Sequence, residues 1–100
     1  MPVVHIRFEQ IQSLQDIYQQ LGEQVELPVD FGRNLDALYD FLAASLAGPV
    51  QIDWPDQLAS RDQLGQKNLQ ALSDIFADLT AERDDFQIFL NGYPPISHTE

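Results

Sequence analysis

One hundred residues, 44% of them hydrophobic, suit a single domain that buries about two thirds of the surface its unfolded chain exposes, and they leave no material for a second core. Sixteen acidic side chains against five basic ones give a formal charge of -11, which disfavours nucleic-acid backbones and anionic lipid as partners, suits a basic protein, and also serves solubility. The absence of cysteine excludes disulfides, zinc thiolates and thiol nucleophiles, and no apolar run is long enough to span a membrane.

The opening MPVVHIRFEQ lacks the charged-then-apolar layout of a secretory leader, so a cytoplasmic location is expected. Within it Val4, Ile6 and Phe8 alternate with His5, Arg7 and Glu9, the period of a strand with one buried face. Ser13 followed by Asp16 resembles a capping box, and Leu14, Ile17, Tyr18 and Leu21 then recur at helical spacing as far as Gly22.

EQVELPVDFGR holds a proline and a glycine with no sustained period and reads as a loop. Asn34 is suited to cap a second helix that carries Leu35, Leu38, Leu42 and Leu46 and stops near AGP. VQIDW alternates again, with Val50, Ile52 and Trp54 on one side, and forms the second strand.

Pro55 suits the first position of a third helix, PDQLASRDQL. Gly65 separates it from a longer fourth helix opened by Asn68 and lined by Leu69, Leu72, Ile75, Phe76 and Leu79. DFQIFL places Phe86, Ile88 and Leu90 on one face of a third strand, and NGYPPISHTE reads as a turn and a loosely held tail from 91 to 100.

Strand, two helices, strand, two helices, strand implies parallel neighbours joined by right-handed crossovers, in one α/β domain over residues 1–90. All three strands alternate, whereas parallel strands covered on both faces are continuously apolar. The expectation is a two-layer fold: a three-stranded parallel sheet with about four helices on one face and the other face wet.

On the second helix Asp36, Tyr39, Asp40 and Ala43 share an arc away from the leucines. Asp36, in the first turn, complements the helix dipole; Asp40 lies too deep for that, and like charges at i and i+4 repel. Tyr39 between them offers an apolar body with a polar tip, so the group reads as an acidic surface with an aromatic anchor. A solvated face is the competing reading for Asp40, and it is the leading one for Asp74, Asp78 and Glu82 on the fourth helix.

An acid/base pair made of Asp36 and Asp40 needs a cleft to separate the two pKa values, and an exposed helix face supplies none. His5 and His98 have no partner at metal-ligand or triad spacing, and the five glycines stand singly at element ends rather than in a phosphate-binding loop. No catalytic residue, metal or cofactor is expected.

The stretch LPVDFGRNLDALYDFL resembles the barstar-like family of intracellular ribonuclease inhibitors. Its centre, FGRNLDALYD, fits the pattern aromatic-Gly-x-Asn-Leu-Asp-Ala-Leu-aromatic-Asp, and weaker similarity runs through GPVQIDW and LSDIFADLTAERDDFQIFL, over most of residues 2 to 90. The resemblance implies a protein, monomeric when free, whose second helix and preceding loop plug the active site of a basic, extracellular-type ribonuclease in a heterodimer.

On this pattern Asp40 matches the acid that occupies the phosphate site and Asp36 a second interface acid. Tyr39 takes the place of a tryptophan, Phe31, Gly32 and Asn34 match the loop entering the helix, and Asp78 stands where the family example has a glutamate. Asp30 replaces a tyrosine, and Ala43 and Ser45 replace a threonine and a tryptophan, so the contact surface carries less aromatic area. Phe41 and Asp84 stand at the places of two cysteines. The alternative is a barstar-like module for a different basic protein or toxin domain; a small hydrolase ranks below both.

Overall fold

The computed structural model describes residues 3–91. In chain order these form β1 (Val4–Arg7), α1 (Leu14–Gln24), α2 (Leu35–Asp40) with a π-helical turn over Phe41–Ser45, and β2 (Val50–Trp54). A 3-10 turn at Leu58–Ser60, α3 (Arg61–Leu64), α4 (Gln66–Glu82) and β3 (Phe86–Leu90) complete the fold. The sheet is parallel in the order β1-β2-β3, with Ile6 opposite Ile52 and Ile52 opposite Ile88. The α/β architecture of three parallel strands and four helices is the one expected.

The strands bury Ile6, Val50, Ile52, Trp54, Phe86 and Ile88, while His5, Arg7 and Gln87 on the opposite face are exposed and Gln51 and Asp53 half-buried. Burial of only one face is what the alternation dictates, since successive side chains of a strand point to opposite sides. Trp54, fully buried, meets Phe8 and Phe76 edge-on at centroid distances of 6.2 and 6.3 Å. Leu21, Leu38, Leu42, Leu72 and Leu79 fill the space between sheet and helices.

Ser13 caps α1 as expected, its Oγ accepting from the Asp16 N–H, and Asp16 reaches back to accept from the Gln12 N–H at 2.9 Å. The helix runs past Gly22 to Gln24, and its last turns are put to use at the sheet edge. The Gln24 amide accepts from the Arg7 N–H at 2.7 Å and donates to the Arg7 carbonyl at 2.8 Å; Gln20 does the same for Glu9 at 3.2 and 2.9 Å.

The second helix departs from the expected run to Leu46. After Asp40 the turn widens, the Leu46 N–H bonding back to the Phe41 carbonyl, five residues earlier, at 3.0 Å. Phe41, at the start of the turn, is buried in the core, and Leu46 at its end is half-buried on extended backbone. The Arg83 guanidinium closes this end: its Nη1 donates to the Leu42 and Leu46 carbonyls at 2.6 and 3.0 Å, and its Nε and Nη2 grip Asp85 at 2.9 and 3.0 Å. A methyl on Gly48 would collide with this ion pair, which explains a glycine there.

The third helix is shorter than expected, one 3-10 turn leading into one α-turn, with Leu58 exposed rather than packed. α4 opens at Gln66 behind Gly65, whose φ of 92° supplies the bend, and Asn68 is inside the helix, its side-chain amide donating to the Leu64 carbonyl. Of the expected tail, Asn91 is held by bonds to the Trp54 carbonyl, the Leu58 N–H and the Gln57 side chain; residues 92–100, His98 included, lie outside the described residues.

Candidate functional site: the loop before α2 and the α2–α4 groove

The loop is built to deliver α2 in one orientation. Phe31 wedges edge-on between Tyr18 and Phe41 at 5.9 and 6.1 Å, which fastens the loop to α1 and to the π-turn. Arg33 takes a φ of 52°, a left-handed bend one residue ahead of the cap. Asn34 then ties the two sides of the bend together: its Oδ1 accepts from the Ala37 N–H at 2.7 Å and its Nδ2 donates to the Gly32 carbonyl at 3.3 Å. A methyl on Gly32 would sit 3.0 Å from that Nδ2, so the loop passes closest where there is no side chain. Val29 and Asp30 stand exposed at the tip.

Asp36, Tyr39 and Asp40 project from α2 toward α4. Together with Asp78, and over an apolar floor of Leu35 and Ile75, they line a concavity of about 420 Å³. The sequence assigned Asp78 to the set only by resemblance; here it lines the same groove as Asp36, Tyr39 and Asp40. Asp36 also borders a second hollow of about 470 Å³ across the helix, shared with Arg33, Asn34 and Tyr18. Asp30, Phe31, Gly32 and Ala43 do not line the α2–α4 groove: the first three belong to the loop, and Ala43 is half-buried on the π-turn, packed against the core.

Glu82, at the end of α4 and one turn beyond Asp78, is a residue whose spacing alone implies a solvated face. It accepts a hydrogen bond from the Tyr39 hydroxyl, bridging the two helices. That bond raises the phenol above its ordinary value of 10.0, and partial burial and the negative charges of Glu82, Asp78 and Asp40 push the same way. The available signal was the spacing of Asp78 and Glu82, one turn apart on the face that carries Asp74.

Among the described residues the ion pairs are Arg7 with Glu9 and Arg83 with Asp85, and neither involves a groove carboxylate. The groove therefore presents carboxylates that no ion pair engages among the described residues. Asp36 and Asp40 are both exposed, so nothing desolvates one relative to the other as acid/base work requires. Among the described residues no group of three or more His, Cys, Asp or Glu side chains is placed to hold a metal ion, and no helix is long and apolar enough to cross a membrane.

A family model described as Barstar (barnase inhibitor) matches residues 1–91. The chain belongs to this family, which is one of inhibitors that take a ribonuclease as protein partner.

Proposed function

We propose that this member of the barstar family inhibits a basic ribonuclease by setting the carboxylates of its α2–α4 groove against the cations of the enzyme's active site. A ribonuclease cleaves a polyanion and lines its site with Arg, Lys and His. A preformed set of carboxylates satisfies those groups by charge-assisted hydrogen bonds and excludes RNA.

One observation carries the reading: Asp36, Asp40 and Asp78 line one groove with Tyr39, and among the described residues none of the three is in an ion pair. Asp40 supplies the central phosphate-like charge, Asp36 and Asp78 flank it, and Tyr39 supplies contact area. The loop residues Asp30, Phe31, Gly32 and Asn34 set the approach, with Ala43 at the rim, and the complex is a heterodimer formed in the cytoplasm. The domain is residues 1–90.

RNA-cleavage kinetics test this. Wild-type protein should abolish cleavage by barnase or another guanyl-preferring secreted ribonuclease at stoichiometric concentration, and Asp40→Asn should restore it. Unchanged cleavage at saturating wild-type protein, with no ribonuclease captured from a microbial lysate, overturns the reading and favours a different basic partner.

A further inference from the structure

We propose that Glu82 is a positioning residue for the inhibitory surface: it holds the Tyr39 ring at the α2–α4 groove and presents the phenol oxygen to the partner as a hydrogen-bond acceptor. The pairing stands on the geometry of the free protein; its role toward a partner rests on the inhibitor reading above.

Helix physics argues against Glu82 where it stands. It is the last residue of α4, at the negative end of the helix dipole, with no basic residue in that turn and with Asp78 one turn before it. What it gains is the Tyr39 hydroxyl, brought from a different helix 43 residues away. Two elements that meet along a groove of carboxylates are thereby joined at one point by a single defined bond.

The bond also fixes polarity. A tyrosine hydroxyl has one proton and two lone pairs, so donating to Glu82 leaves acceptor capacity only, strengthened by the charge it donates to. Every titratable group facing it is an acceptor as well: Asp40 on its own helix, Asp78 and Glu82 on α4, with Asp36 in the same groove. A tryptophan at this place, as the family resemblance has it, presents an N–H donor only. Tyrosine held by Glu82 inverts the requirement, and the partner group opposite it must be a donor, such as an arginine, lysine or protonated histidine.

Absorbance titration of tyrosine in the free protein reads the pairing. Tyr39→Phe identifies the Tyr39 step among those of Tyr18 and Tyr93; that step should lie above 10.0 in wild type and fall toward it in Glu82→Ala. An unchanged step overturns the proposal. Barnase inhibition reads the role: Tyr39→Phe and Glu82→Ala should each weaken inhibition about tenfold, the worth of one hydrogen bond. The double variant should lose no more than either single one, and Glu82→Gln, which keeps an acceptor, should stay closer to wild type. A hundredfold loss in the double variant overturns the proposal by making Glu82 a contact in its own right. If wild-type protein leaves barnase and other guanyl-preferring secreted ribonucleases active and captures none from a microbial lysate, the inhibitor reading fails, and the titration decides the pairing alone.

Discussion

The two ends of the segment from Leu35 to Leu46 use charge in opposite ways. At the far end the Arg83 guanidinium is engaged through all three of its nitrogens, on two carbonyls of the π-turn and both oxygens of Asp85. At the near end Asp36, Asp40 and Asp78 line a groove, and none of them is in an ion pair among the described residues. The first arrangement closes the fold, because orphaned helix carbonyls need donors. The second weakens the free fold slightly through like-charge repulsion and keeps its acceptors available. Variants at the far end should therefore read out in stability, and variants at the near end in binding.

The largest expected effect is at Asp40. Asp40→Ala should weaken ribonuclease binding by at least about thirtyfold, since removing one partner of a buried charge pair costs about 2–5 kcal/mol, a generalisation for which barnase and barstar are themselves a worked example. Its melting temperature should stay within a few degrees of wild type. A comparable loss in both measurements would break the division between the two ends.

Arg83→Ala is the mirror experiment. Losing charged hydrogen bonds to two carbonyls should cost about 2–3 kcal/mol in urea unfolding and lower the melting point by roughly 10 °C or more, while inhibition measured on folded protein at low temperature is retained. The same corner carries an acid-side signature. Arg83 holds the Asp85 carboxyl below its ordinary value of 3.8, so this pair stabilises the fold above that pH, and its contribution disappears as pH falls through the lowered value. Asp85→Asn should flatten that acid limb.

Asn34→Ala should cost about 1 kcal/mol, the usual worth of an N-cap, and because the same side chain holds the Gly32 carbonyl it should weaken binding as well as stability. It is the residue at which the two readouts are expected to move together. At the small end, Asp36→Asn should leave stability within about 0.5 kcal/mol and reduce binding, in a way that fades as salt rises, because screening acts on exposed charges.

Period and turn chemistry made the sheet legible: the alternation at Val4, Ile6 and Phe8, and again at Val50, Ile52 and Trp54, depends on local geometry alone. The π-turn was not legible, because the carbonyls it frees are satisfied by a guanidinium arriving from 37 to 41 residues away. The same limit applies at the site. That Asp36, Tyr39 and Asp40 share an arc of one helix was readable from spacing, whereas Asp78 was set beside them by resemblance, and the groove lined by all four comes from the packing of two helices. Glu82 required the packing of α2 on α4, which no local pattern encodes. Asn68 illustrates the converse, a good capping residue that sits inside a helix because Gly65 had already made the bend.

The glutamines at the β1 edge have a consequence outside recognition. An open strand offers a row of unpaired amides that another chain can copy, which is how sheets recruit strangers and begin to aggregate. Gln20 and Gln24 occupy both backbone groups of Glu9 and of Arg7 with neutral amides from the protein's own helix. The backbone groups of these two residues are thereby occupied by neutral partners, while their own side chains, Arg7 and Glu9, pair with each other. An acidic chain that must stay receptive on one face can in this way remain inert along its border, and Gln24→Ala and Gln20→Ala should be soluble when fresh and lose that solubility on standing at high concentration.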